Sequence, residues 1–300
     1  MKTIYKKTLM LFIATMFAFT SCNEEKFLEE KPLSIYTADN SLVTSGDFQA
    51  AVNELYAGVR HLLYLQTQVC RYTFWYGTDL AFCSADLNYL NTYAATMTPT
   101  MDAVIDNWRN SYVIVNQANL VLTRLTDANI PDDDKNTMRG EALFFRAFAY
   151  RILANLYGGV PLILEEITTP RRDFVRATRE ETYTQAKNDL EEAISLLANI
   201  DDVKDGKIAK QTAQHLLSEI YICLGDYDKA INAANAVIDH SSMALMTERF
   251  GTKIDEPGDV CSDLHKTGNQ NRKSSGNTET LWALQYDYNN PGAGGGNQWH

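Results

Sequence analysis

The stretch Arg139–Leu164, RGEALFFRAFAYRILANLYGGVPLIL, constrains the fold more than any other part of the chain. Ala142, Phe145, Ala149, Ile152 and Leu156 recur every three or four residues, and so do Leu143, Ala147, Tyr150, Ala154 and Tyr157. The spacing predicts a helix with two apolar faces, which has to lie between other elements and not on a surface. Asp132, Asp133 and Asp134 stand ahead of it, where the helix dipole is positive. Gly158 and Gly159 end it and Pro161 follows, a usual C-terminal pattern.

Other segments supply neighbours for those faces. Phe48, Val52, Leu55, Val59 and Leu62 predict a helix from Asp47, with Ser45 or Asp47 as its cap. Trp108, Tyr112, Val115, Asn119 and Leu122 form one stripe of a helix over 102–125. Thr178-Arg179-Glu180-Glu181 is a capping box, opening a helix with Tyr183, Ala186, Leu190, Ile194 and Leu197 inward. In Lys210–His240, Ala213, Leu217, Ile220, Tyr221 and Leu224 mark one helix, and Ala230, Ala233, Ala234, Val237 and Ile238 a second. Between them Leu224–Ile231, LGDYDKAI, is close to the turn of a tetratricopeptide (TPR) repeat. One repeat cannot bury its own apolar face, so a stack of such pairs is expected. The fold class is thus mostly α: a TPR-like helix-pair scaffold with long irregular loops, its core at about 102–240.

After His240 the texture changes. Residues 251–280 read as loop, Thr280–Tyr286 as a short strand or extended segment, and Asn289–Gly296 as loop again. The chain reaches His300 without a closing element, so a C-terminal portion is expected to be missing from 46–300.

Met1–Ser21 has a charged start and an apolar run too short to span a bilayer, which reads as a signal peptide. Phe19-Thr20-Ser21-Cys22 looks like a bacterial lipobox, with Phe where Leu is usual. The expectation is cleavage before Cys22, lipidation there, and an acidic tether over 22–45; the alternative is a plain secretory peptide with an incidental Cys. Loss of Lys2, Lys6 and Lys7 takes the formal charge from -11 to -14. That balance argues against nucleic acid and against electrostatic docking on anionic lipid. Cys70, Cys83, Cys223 and Cys261 match no metal spacing, and Cys223 reads as a core thiol. Pairing of Cys70 with Cys83 stays open.

Catalytic signatures are scarce. No phosphate-binding loop, dinucleotide fingerprint or nucleophile elbow is present, and the five histidines are scattered. Asp79 and Asp86 share a segment and could flank a glycosidic bond, but 38 acidic residues supply many such pairs by chance. No cofactor, metal site or catalytic residue is therefore expected. The irregular segment 66–100 is rich in aromatic, acid and amide groups. A sugar ring wants flat rings beneath its apolar face and amides or carboxylates at its hydroxyl rim. Trp75, Tyr89 and Tyr93 offer rings; Asp79, Asn88 and Asn91, with Asp86, offer rim partners. Each taken alone reads equally as core packing or turn capping.

Arg139-x-Glu141-Ala142-x-Phe144-x-Arg146-Ala147-x-x-Tyr150, running into Tyr157-Gly158-Gly159-Val160-Pro161-Leu162, resembles the hallmark segment of the SusD/RagB nutrient-uptake proteins. The Trp108–Asn119 pattern, the 178–197 helix, the TPR-like pair and the lipobox at Cys22 also look like that family. The resemblance implies an α-helical binding protein, not an enzyme, lipid-anchored on the outer face of the outer membrane. It also implies a partner, a TonB-dependent β-barrel transporter (SusC-like), to which oligosaccharide or another nutrient is delivered. Family members are usually much longer than 300 residues. Two other readings are a TPR-like adaptor with no ligand of its own, and a hydrolase built on Asp79 and Asp86. On the family reading Arg139–Leu164 is scaffold, with Arg146 and Arg151 as partners for acids.

Overall fold

The helix with two apolar faces runs from Asp132 to Tyr157 and is walled in on both. In the computed structural model, residues 41–64, 78–81 and 98–285 are described. The chain divides into two compact units, Met1–Leu42 and Val43–His300, and every helix below belongs to the second. In order these are α1 Ser45–Tyr64, α2 Asp102–Leu125, α3 Asp132–Tyr157, α4 Arg179–Leu196, α5 Lys210–Leu224 and α6 Tyr227–Ile238. Two short helices follow, α7 Val260–Leu264 and α8 Arg272–Ser275. Each of α2 to α6 packs on the helix before it, and α3 touches α1, α2 and α4. This is the expected mostly α stack, with α5 and α6 as the TPR-like pair. No strand occurs among the described residues; one antiparallel bridge joins Pro161 to Arg176.

The periodic residues of α3 are buried, from Ala142 and Leu143 through Ala154. Leu156 and Tyr157 depart from the pattern. Leu156 is exposed and Tyr157 half-buried, because the last turn projects beyond the helices that cover the rest. Phe144, Phe145 and Phe148 gather around Trp282, with Tyr56 of α1 closing the cluster. Expected as a strand or extended segment, Thr280–Gln285 is irregular backbone, and it enters the core by that one indole. Trp282, half-buried, donates its Nε1–H to the Gly206 carbonyl at 3.0 Å, so the donor is satisfied.

Helix ends follow local chemistry. Thr178 Oγ1 accepts from the Glu181 N–H at 3.1 Å while Glu181 accepts from the Thr178 N–H at 2.7 Å, the expected capping box. At α1 the reciprocal pair is Thr44 with Asp47, at 3.3 and 2.8 Å. Ser45, a candidate cap, donates instead to Asp134 at 2.7 Å and ties α1 to the start of α3. Gly225, at φ 77°, makes the left-handed turn between α5 and α6.

Two expectations fail here. Cys223 is exposed, since the face of α5 that carries it has no neighbouring helix over it among the described residues. Ile222, Tyr227, Ile231 and Ile238 are exposed with it, so the outer face of the TPR-like pair stands open. Residues 251–280, expected as loop, contain α7 and α8. Five- and four-residue helices leave no periodic trace, and α7 is held by a polar hub. Asp263, fully buried, accepts from Arg249, from Lys266 at 3.0 Å and from the Phe250 N–H at 3.3 Å.

That hub makes a pH prediction. Hydrogen bonding from Arg249, then from Lys266 and Phe250, holds the Asp263 carboxyl well below the usual carboxylate range. A folded-state pKa below the unfolded one contributes stability above the unfolded value, about 4, and loses it as pH falls further. Protection of the Phe250 amide, its slowing relative to an unstructured amide at the same pH, is expected to fall on acidification below about pH 4, and Asp263→Asn to remove that dependence. Protection that does not change with pH in the unsubstituted chain would refute it.

Candidate functional site

The segment after α3 has almost no backbone ladder, and side chains hold it instead. Tyr112 donates to the Pro161 carbonyl at 2.7 Å and Asn119 to the Ile163 carbonyl at 2.8 Å. Tyr150 grips the same residue from both sides, donating to the Ile163 carbonyl at 2.8 Å and accepting from its N–H at 2.7 Å. Arg146 donates to the Leu164 carbonyl at 3.1 Å and to Asn119 Oδ1 at 2.9 Å. Its other two nitrogens form a bidentate pair with Asp189 of α4, at 2.8 and 2.7 Å, with both side chains under 10% exposed. Burial pushes the Asp189 carboxyl upward, and Arg146 and Gln185 pull it back in part. Arg176 donates to the Tyr157 and Gly159 carbonyls, and Arg124 pairs with Glu166 at 2.6 Å. Arg151, the other arginine singled out on α3, pairs with Glu219 at 2.6 Å.

The two glycines have different reasons. Gly158 takes φ 76° and ψ -129°, a region costly for any side chain. Gly159 has an ordinary φ, but a Cβ there would lie 2.0 Å from the Ala177 carbonyl oxygen. It is the close approach of two backbones, not a turn, that requires the second glycine.

This clamped segment forms one wall of an aromatic cleft. Trp108, read in sequence as part of one helical stripe, sits at the surface end of that stripe and is 37% exposed. Its ring centroid lies 5.0 Å from that of Tyr112 and 5.1 Å from that of Tyr157, the latter edge to face. On one side a cleft of about 710 Å³ runs over Trp108, Tyr112 and Tyr157, bordered by Pro99, Arg109, Asn116 and Gln117. On the other a lobe of about 300 Å³ continues over the same Trp108, Tyr112 and Asn116 to Pro161, Ile163 and Phe174. Both volumes fall in the range of small-ligand sites.

The polar groups of the cleft divide into engaged and free. Tyr112 Oη and Tyr157 Oη donate to the Pro161 and Val104 carbonyls, the latter at 2.6 Å, so neither proton is available to a ligand. Burial lifts the Tyr112 phenol well above its ordinary range, so it stays protonated. The Trp108 indole N–H has no hydrogen-bond partner among the described residues, and Asn116 is exposed at the border of both lobes. The arrangement offers flat faces, one free donor and an amide rim. It holds no paired carboxylates, and no cluster of potential metal ligands occurs among the described residues.

Of the residues expected to contact ligand, Asp79 is exposed. Trp75, Asn88, Tyr89, Asn91 and Tyr93 lie outside the described residues, as do Asp86 and Cys22. The Trp108 cleft was not singled out in the sequence. The available signal was a Trp and a Tyr one turn apart at the N-terminal end of an otherwise aliphatic stripe.

Comparison with known proteins decides the family. Residues 26–222 match the SusD-like family described as starch-binding and associating with the outer membrane. The chain belongs to that SusD-like family. SusD-like protein P2 of Formosa agariphila is 26% identical over 288 residues, 94% of this chain and 53% of the relative. SusD-like protein P25 of the same organism is 23% identical over 301 residues, and the chain spans about half the length of these curated relatives. Among solved structures, a SusD-like protein from Bacteroides fragilis matches with TM-score 0.64 at 20% identity, over 86% of this chain and 48% of that one. A laminarin-binding SusD-like protein matches with TM-score 0.60 at 24% identity, over 69% of this chain and 47% of that one. These structures share the helical fold. The reading of a binding protein accords with the family's description.

Proposed function

We propose that this SusD-like chain captures oligosaccharide through the Trp108 cleft and works in outer-membrane nutrient uptake. The observation that carries the proposal is a half-exposed ring platform with a free indole donor and an amide border, in a chain of a family described as starch-binding. Stacking of a pyranose face on Trp108 removes apolar area from water, while Asn116 and the indole N–H meet hydroxyls. Trp75, Asp79, Asn88, Tyr89, Asn91 and Tyr93 are proposed as further contacts, on their residue chemistry alone. Cys22 is the proposed lipid anchor on the outer face of the outer membrane. Among the described residues no helix is long and apolar enough to cross a membrane. Delivery to a TonB-dependent β-barrel transporter follows from family membership as the proposed next step.

Affinity electrophoresis of the chain against a panel of neutral glycans tests the reading. Retention is expected on at least one, and Trp108→Ala is expected to weaken it about tenfold or more, the loss of one ring stack and its desolvated contacts. Undiminished retention of the Trp108→Ala variant would remove the cleft from the proposal. A TPR-like adaptor would instead co-purify with a barrel transporter and bind no glycan.

A further inference from the structure

A second cleft, formed by α1, the turn before α5 and the Trp282 segment, has a different character. About 290 Å³ opens over Tyr56 and Trp282 and is bordered by Arg60, Lys204, Lys207 and Asp205. Behind the 204–207 turn lies a small chamber of about 20 Å³ that shares Lys204, Asp205, Lys207 and Trp282 and adds Arg272. Four cations thus converge on one turn, in a chain whose formal net charge is -11.

Their engagements differ. Lys207 pairs with buried Glu141 at 3.2 Å and lies 4.7 Å from the Tyr56 ring centroid, so its charge is balanced. Asp205 accepts from the Lys273 N–H at 3.2 Å. Arg60 and Lys204 have no ion-pair partner among the described residues. Arg272 donates one Nη to the Ser242 carbonyl at 2.8 Å, but its other, Nη1, is buried with no partner. A buried guanidinium nitrogen left unmatched is costly, and its natural complement is an anionic oxygen or a water. Arg272 belongs to the small chamber and has the carboxylates of Asp201 and Asp205 near enough to offset its charge, so in the open cleft Arg60 and Lys204 stand against Asp205, while Lys207 and Glu141 cancel.

We infer that this cleft takes an acidic sugar unit, its ring against half-buried Trp282 and its carboxylate or sulfate ester at Arg60 and Lys204. The inference rests on glycan capture as proposed above and adds a second, charge-reading subsite away from Trp108. Arg60 of α1 and Lys204 of the turn supply the open donors. That turn depends on Gly206, at φ 83°, whose absent Cβ leaves room for the Gln285 side chain.

Calorimetric titration of the 300-residue chain with three oligosaccharides of matched length tests it: a neutral glucan, an oligogalacturonate and a sulfated galactan. At least one acidic oligomer is expected to bind more tightly than the neutral one, with affinity falling as salt is raised. The double variant Arg60→Ala/Lys204→Ala is expected to lose about tenfold or more in acidic-oligomer affinity and none for the neutral glucan, since Lys204 is exposed, Arg60 is half-buried and neither holds an ion pair among the described residues. Which acidic oligomer responds separates carboxylate from sulfate. The inference is overturned if neither acidic oligomer binds, if acidic and neutral oligomers bind alike, or if the double variant binds the acidic oligomer unchanged. Continued neutral binding that is lost in Trp108→Ala would leave glycan capture standing in each of those cases.

Discussion

Arg146→Met is expected to lower the stability of the chain by about 3–5 kcal/mol, the range for removing one partner of a buried ion pair. Four groups lose their donor at once: both oxygens of Asp189, Asn119 Oδ1 and the Leu164 carbonyl. The Asp189 carboxylate then stays in a nearly closed site with only Gln185, at 2.8 Å, to meet it. Paired substitution is the informative control. Arg146→Met with Asp189→Leu replaces the pair by apolar groups of similar reach and is expected to recover much of the loss. Urea titration of the three variants reads both effects. Equal destabilisation in the single and double variants would show that the guanidinium acts through the loop carbonyl and not through the ion pair.

Gly159→Ala is expected to be nearly as damaging, about 3 kcal/mol or more, because overpacking here meets backbone and cannot be relieved by a rotamer change. The added methyl would fall 2.0 Å from the Ala177 oxygen and within 3 Å of Thr178 Cα, next to the cap of α4. Either α3 or α4 has to shift. Gly140→Ala is the comparison. Its Cβ would meet only Leu197 and Leu196 side-chain atoms at 3.0 Å and beyond, which can give way. Thermal denaturation is expected to rank Gly159→Ala well below Gly140→Ala, and the reverse order would show that the Ala177 segment yields easily.

The helices were legible because α-helical period survives in sequence wherever a long face is buried. The two faces of α3, the stripe of α2 and the capping box at Thr178 all carry that signature. What the chain writes less openly is which distant groups meet. Arg146 could be read as a partner for an acid, but that the acid is Asp189, 43 positions on, is a product of the fold. Gly159 looked like part of a helix stop, and only the approach of Ala177 explains it. Trp108 sits on the same stripe as buried Val115 and Leu122, and periodicity cannot say where along a stripe burial ends. The short helix α7 answers to the Asp263 hub and not to any period.

The tyrosines flanking Trp108 have a thermodynamic consequence. With their protons already committed to the Pro161 and Val104 carbonyls, they meet a ligand as apolar surface. Association there is expected to show a negative heat-capacity change, the mark of apolar burial. Proton exchange with buffer should contribute little to the heat, since burial keeps the Tyr112 phenol protonated well above neutrality. Calorimetry in buffers of different ionisation enthalpy would then give the same enthalpy for the Trp108 cleft.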